Sequence, residues 1–102
     1  MDIKFKRSGD YLTIYLYGEL DEFSSGSIKK SVDEVIYNNL NAVHVVFDLS
    51  GVTFMDSTGI GLLIGRYKLL KNNNLQCYLT GLNVSTEKVV QLAGLYSIMP
   101  KL

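Results

Sequence analysis

The residues best able to do chemistry stand together in the stretch FMDSTGIGLLIGRYK, Phe54 to Lys68. Asp56, Ser57 and Thr58 precede Gly59, Gly61 and Gly65, which are interleaved with the apolar Ile60, Leu62, Leu63 and Ile64. A helix starting here leaves its first N–H groups unpaired and its N-terminal end partly positive. Two arrangements meet that demand. With Asp56 as N-cap, its carboxylate accepts from the backbone two or three residues on, and Ser57 becomes the first helical residue with its hydroxyl free; with Ser57 as the cap, Asp56 is loop. Spacing does not separate them. Gly59 and Gly61 in a first turn cost roughly 1 kcal/mol each against Ala, which points to close approach by another backbone or by a partner. Gly65, one turn beyond Gly61, fits a helix seated close against its own sheet.

The same residues admit other chemistries, each with weaker support. A nucleophilic serine needs a base, and MDSTG departs from the G-x-S-x-G elbow of serine hydrolases. The sole histidine, His44, lies in the strand-like VHVVFD with Asp48 on the same face, where a structural role is expected. The glycine spacing G-x-G-x-x-x-G misses the dinucleotide fingerprint, and no Gly-Lys-Ser/Thr follows. Weak nucleotide contact at the helix N-terminus stays open as an alternative. Cys77, the only cysteine, excludes an internal disulfide and a Cys-rich metal site, and reads as a small core residue. No cofactor and no metal are implied. Tyr11, Tyr15 and Tyr17 form a stripe expected to be half-buried sheet surface under a helix or a partner. Arg66 and Lys68 are expected on the solvent side of the long helix.

Composition limits the setting. A chain of 102 residues with 47% hydrophobic content can bury one core, so residues 1–102 read as a single globular domain. Ten Lys plus Arg balance ten Asp plus Glu. Without a basic surplus, nucleic acid and anionic membranes are not expected partners. Charged and polar residues interrupt the N-terminal region until Tyr11, unlike a signal peptide, and nothing approaches the roughly 20 apolar residues of a spanning helix. A soluble, cytoplasmic protein is expected.

The elements that must position the hydroxyl follow from periodicity. Leu12, Ile14 and Leu16 alternate with Tyr11, Thr13, Tyr15 and Tyr17, the signature of a strand that Gly18 ends. Ile3 to Lys6 pairs with it through the turn residues Arg7 to Asp10. Ile28, Val32, Val35 and Ile36 recur at helical spacing, with Ser24 as N-cap, Asn38-Asn39 as the stop, and Lys29, Lys30, Asp33 and Glu34 toward solvent. Val43 to Leu49 reads as a central strand covered on both faces. The long helix runs from near Ser57 to about Asn72. A strand over Leu75 to Thr80 follows, then a short helix capped by Asn83, with Thr86, Val89, Val90 and Ala93 inward and Gly94 at its end. Tyr96 to Met99 adds a last short strand. Two strands followed by alternating helix and strand imply an α/β fold, a mixed β-sheet with helices packed on one side.

The run DLSGVTFMDSTGIGLLIGRYK resembles the phosphorylation-site segment of the anti-sigma factor antagonists, single-domain STAS proteins, and most nearly their sporulation sigma-F branch. Gly18-Glu19-Leu20-Asp21 matches the loop before that family's first helix, and Leu92-Ala93-Gly94-Leu95 its ending after the third. The element order above is also the family's, so the resemblance covers nearly the whole chain. It implies a partner-switching regulator of transcription rather than an enzyme. The unphosphorylated antagonist binds an anti-sigma factor serine kinase and frees the sigma factor. Phosphorylation of the serine after the motif aspartate, here Ser57, turns binding off, and a metal-dependent protein phosphatase restores it. Asp56 then caps and orients the site, and Asp21, Thr58, Gly59, Ile60 and Gly61 belong to the docking surface. The free protein is expected to be a monomer. Thr58 stands where relatives often have a second serine, and many relatives carry a fourth helix past the position of Leu102.

Overall fold

Alternation along the second strand sends Leu12, Ile14 and Leu16 to one face of a sheet, and the whole architecture is organised by what covers them. The computed structural model describes residues 3–102. In chain order the elements are β1 (Ile3–Ser8), β2 (Tyr11–Leu20), α1 (Ser25–Tyr37), β3 (His44–Met55), α2 (Ser57–Asn72), β4 (Gln76–Thr80) and α3 (Val84–Leu92), then a 3-10 turn at Leu95–Ser97. The sheet order is β1-β2-β3-β4. β1 and β2 are antiparallel, joined through Gly9 at φ +57°, whereas β2, β3 and β4 are mutually parallel and connected by helices. This is the expected α/β arrangement.

Leu12, Ile14 and Leu16 join Val45, Phe47, Leu49, Cys77 and Leu79 in one core with the buried residues of all three helices, including Ile28, Val32, Ile36, Leu63, Leu70 and Val90. Each such side chain contributes roughly 1.5–3 kcal/mol by leaving water. Among the described residues no helix covers the opposite face. There Tyr11 stacks on His44 with centroids 4.5 Å apart, and His44 Nδ1 lies 3.0 Å from the Tyr78 hydroxyl. Val46 is buried on that face outside the main core, screened by its polar and aromatic neighbours. The two-sided cover expected for β3 is therefore a helix layer on one side and the strand's own neighbours on the other.

Several boundaries differ from the periodic reading for identifiable reasons. β2 does not stop at Gly18. That residue takes φ +88° inside a register shift, and pairing resumes to Leu20. β3 runs on to Met55, its second half paired with this extension of β2. Gly51 permits the overlap, because a Cβ there would stand 2.4 Å from Tyr17 Cδ1. Tyr96 to Met99 is no strand: Leu95 and Met99 are both buried at helical rather than alternating spacing. The chain reaches the sheet later, where Leu79 donates to the Pro100 carbonyl at 3.0 Å and Leu102 donates to the Leu79 carbonyl at 2.8 Å. Ala93 is exposed, not inward.

The helix ends follow side-chain chemistry. Asn83 accepts from Thr86 N at 2.9 Å, and Asn39 and Asn73 donate to the carbonyls of Val35 and Leu69, each at 2.8 Å. Ser24 occupies the cap position of α1 but makes no capping bond. Its hydroxyl is drawn to the Glu19 carbonyl and the Asp21 carboxylate.

Two expectations for α2 are overturned. Arg66 faces inward, 8% exposed, with Nε 2.9 Å from Asp33 Oδ1 of α1; the approach lies off the hydrogen-bond direction, so the contact is an ion pair. Asp33 accordingly leaves the solvent face assigned to it, while Lys68 remains exposed. Gly65 is not seated on the sheet, since a Cβ there would meet nothing within 4 Å, and the same holds for Gly61. Gly59 is the seated residue: its Cβ would stand 2.5 Å from the Leu20 carbonyl oxygen and 2.8 Å from Met55 Cγ. Gly59→Ala should therefore lower stability by about 1–3 kcal/mol through overpacking. Gly61→Ala and Gly65→Ala should each raise it by up to about 1 kcal/mol through helix propensity. Urea unfolding of the three variants checks the contrast, and equal effects at positions 59 and 65 would refute it.

Candidate functional site

Three junctions, β2–α1, β3–α2 and β4–α3, meet beyond the carboxyl ends of the parallel strands, where open α/β sheets characteristically present their binding residues. At the middle junction Asp56 has extended backbone, φ −116° and ψ −169°. Its carboxylate accepts from Thr58 N at 2.9 Å and Gly59 N at 3.3 Å. Asp56, not Ser57, thus occupies the N-cap. Asp56 N donates to the Leu20 carbonyl at 3.4 Å, so the start of α2 is tied to the end of β2 by its main chain as well as by the close approach of Gly59.

Ser57 is the first residue of α2 and is exposed. Among the described residues its hydroxyl makes no hydrogen bond, because the capping demand it would otherwise serve is met by Asp56. Thr58 is also exposed, beside a groove between α1 and α2 that Gly61 and Lys29 line with it. Ile60, by contrast, is 8% exposed and packs in the core, and Gly59 is buried. Of the five docking residues expected from the sequence, Asp21, Thr58 and Gly61 reach the surface, while Gly59 and Ile60 hold the helix from beneath.

Asp21 shapes the neighbouring junction. Its carboxylate accepts from Phe23 N and Ser24 N, both at 3.0 Å, and turns the chain from β2 into α1. The bond from Ser24 N is the main cause holding the Asp21 carboxyl below its ordinary range, slight burial opposing it. With Tyr17, Glu19 and Phe23 it borders a recess of about 420 Å³. Periodicity gave no sign of three other residues at this end. Phe23 is 90% exposed, Phe54 49% and Val84 87%. Their signal in the sequence is positional: each is a large apolar side chain at a strand-to-helix junction, outside any alternating or helical pattern.

The rival chemistries find no assembly. His44 opens β3 and is engaged by Tyr11 and Tyr78, a full twelve-residue strand away from the turn that carries Ser57. Asp48 accepts from Ser50 N at 2.9 Å and Ser50 Oγ at 2.6 Å. Burial pushes the Cys77 thiol up to about 12, which leaves it unreactive as a thiolate. Among the described residues no cluster of His, Cys, Asp and Glu is arranged to hold a metal, and no helix is long and apolar enough to cross a membrane.

Known proteins agree with this geometry. Residues 2–102 match the STAS domain family. The chain is 31% identical over 100 residues to an anti-sigma F factor antagonist of Paenibacillus polymyxa, covering 98% of this chain and 85% of that protein. It is 28% identical over 94 residues to an anti-sigma-B factor antagonist of Listeria monocytogenes, covering 92% and 81% respectively. Among solved structures, the anti-sigma factor antagonist SpoIIAA in its unphosphorylated form superposes with a TM-score of 0.78 at 25% identity, covering 98% of this chain and 87% of that one. With its fold, element order and nearly full length matched, the chain belongs to the STAS domain family.

Proposed function

We propose that this STAS domain is an anti-sigma factor antagonist that works by partner switching. The unphosphorylated chain binds an anti-sigma factor serine kinase and displaces its sigma factor, and phosphorylation of Ser57 by that kinase ends the association. A metal-dependent phosphatase then removes the phosphate. The domain acts in the cytoplasm as substrate and competitor rather than as a catalyst, and is a monomer when free. One observation carries the reading: Ser57 offers an exposed, unengaged hydroxyl at a helix start whose cap is another residue's carboxylate. The relatives named as antagonists of anti-sigma F and anti-sigma-B factors support the class of partner.

The electrostatics fit such a switch. A phosphoserine adds about −1.5 to −2 charges, here beside Asp56 and at the same end of the sheet as Asp21. The added charge crowds these carboxylates, and the hydrated group must lose its water before a partner can dock closely. The fold tolerates it, since a helix N-terminus favours anions and the start of α2 is fixed by Asp56 N and Gly59 against Leu20. The switch therefore acts on the surface with little internal rearrangement.

Purified kinase with ATP should add one phosphate to the wild type and none to Ser57→Ala; undiminished incorporation in that variant would move the acceptor, with Thr58 the first candidate. Ser57→Asp should weaken the complex at least about tenfold, as a charged group beside Asp56 that must lose its water on docking costs more than about 1.4 kcal/mol, and wild-type affinity would overturn the electrostatic mechanism. Amide spectra of the phosphorylated chain should shift mainly over residues 56–61. Asp56→Ala should cost about 1 kcal/mol of stability in denaturant unfolding through loss of the cap, whereas Asp56→Asn should retain most of it.

A further inference from the structure

We infer that partner affinity resides chiefly in three apolar side chains, Phe23, Phe54 and Val84, and that the surface they fit is apolar at its centre and cationic around it. The inference rests on the reading of this end of the sheet as the anti-sigma factor's docking site. It assigns the binding energy to residues other than the phosphoacceptor and its cap.

The fold leaves Phe23 and Val84 almost wholly uncovered and Phe54 about half so. Phe23 lies in a turn held by its own N–H donating to the Asp21 carboxylate, and it stands 90% exposed. Phe54 pairs in register with Glu19 one step before Met55, which is buried opposite Leu20. Val84 begins α3, and its neighbour Asn83 anchors that helix by donating to the Val52 carbonyl at 3.0 Å. Each of the three parallel strands thus delivers one large apolar residue into water where its following helix starts. Exposed apolar groups gathered at one end of a small domain mark an interaction surface, and buried anchors of this kind dominate interface energetics.

Charge identifies the partner's chemistry. Residues 19–25, 54–58 and 81–85 contain Glu19, Asp21, Glu22 and Asp56 and no Lys or Arg. A chain of zero formal net charge therefore has an acidic end, and a complementary surface carries guanidinium or ammonium groups around an apolar recess. The arrangement also explains how a phosphate at Ser57 would act. A strongly hydrated dianion placed among side chains that must lose their water opposes docking even where the partner is cationic.

Calorimetric titration of the unphosphorylated chain with the anti-sigma factor kinase of the same cell tests this. Phe23→Ala and Phe54→Ala should each weaken binding at least about tenfold, and Val84→Ser severalfold, as expected of interface anchors. Phe23→Ala and Val84→Ser should melt with the wild type, since those side chains are exposed, and Phe54→Ala, half-covered, should melt modestly lower yet remain folded at the temperature of the titration. Leu92→Ala, an 82% exposed residue at the far end of α3, should bind within about twofold of wild type, as surface changes outside an interface do. Added salt should weaken the wild-type complex. Wild-type affinity in both Phe variants, with Ser57→Asp still weakened, would overturn this inference and leave the docking reading intact. A wild-type chain that does not bind the kinase would overturn both.

Discussion

The approach of Gly59 to the Leu20 carbonyl oxygen governs where everything at this end of the sheet can stand. No side chain fits between them, so the first turn of α2 rests directly on the end of β2, and Asp56 N adds a main-chain bond to the same carbonyl. This contact exists only because β2 and β3 continue past the register shift at Gly18 to pair Leu20 with Met55. Overlap of the two strands fixes the height of the helix, the helix fixes the cap, and the cap leaves the serine hydroxyl unengaged. A flexible loop could expose a serine too, but it could not hold one at a constant height beside a carboxylate already committed to the backbone.

Much of this was legible in residue order. The alternation of Leu12, Ile14 and Leu16 and the spacing of Ile28, Val32, Val35 and Ile36 report burial directly, because a two-residue and a 3.6-residue period each have one meaning. Asn83 and the asparagines ending α1 and α2 are equally direct, since a short amide has few better uses than an unpaired backbone group. What escaped depends on tertiary placement. The second half of β3, SGVTFM, has weak alternation because part of it projects beyond the helix layer, and only its partner strand makes it a strand. Arg66 looks like a solvent residue until Asp33 is brought beside it from another helix. The exposure of Phe23, Phe54 and Val84 carries no periodic mark, because what distinguishes them is the absence of anything to cover them.

The Arg66–Asp33 pair shows the cost of that kind of contact. Two charges withdrawn from water regain much of the loss through mutual attraction, so their net contribution to stability is small. Their value is geometric: they join α1 to α2 at a defined level and keep the groove between the helices from closing, while the glycines at positions 61 and 65 leave its floor free of side chains. Helix position, rather than tight interdigitation, is what the pair supplies.

The Pro100–Leu102 segment, bonded along β4 through Leu79, has a bearing on colloidal behaviour. An uncovered strand margin is a template for growth by neighbouring molecules, and here the margin of β4 is occupied at Leu79 by the chain itself. Among the described residues β1 forms the other edge of the sheet, and Lys4 and Lys6 both lie on it, exposed to solvent. Repulsion between these ammonium groups on two approaching copies discourages edge-to-edge stacking of a sheet that leaves one broad side without helices.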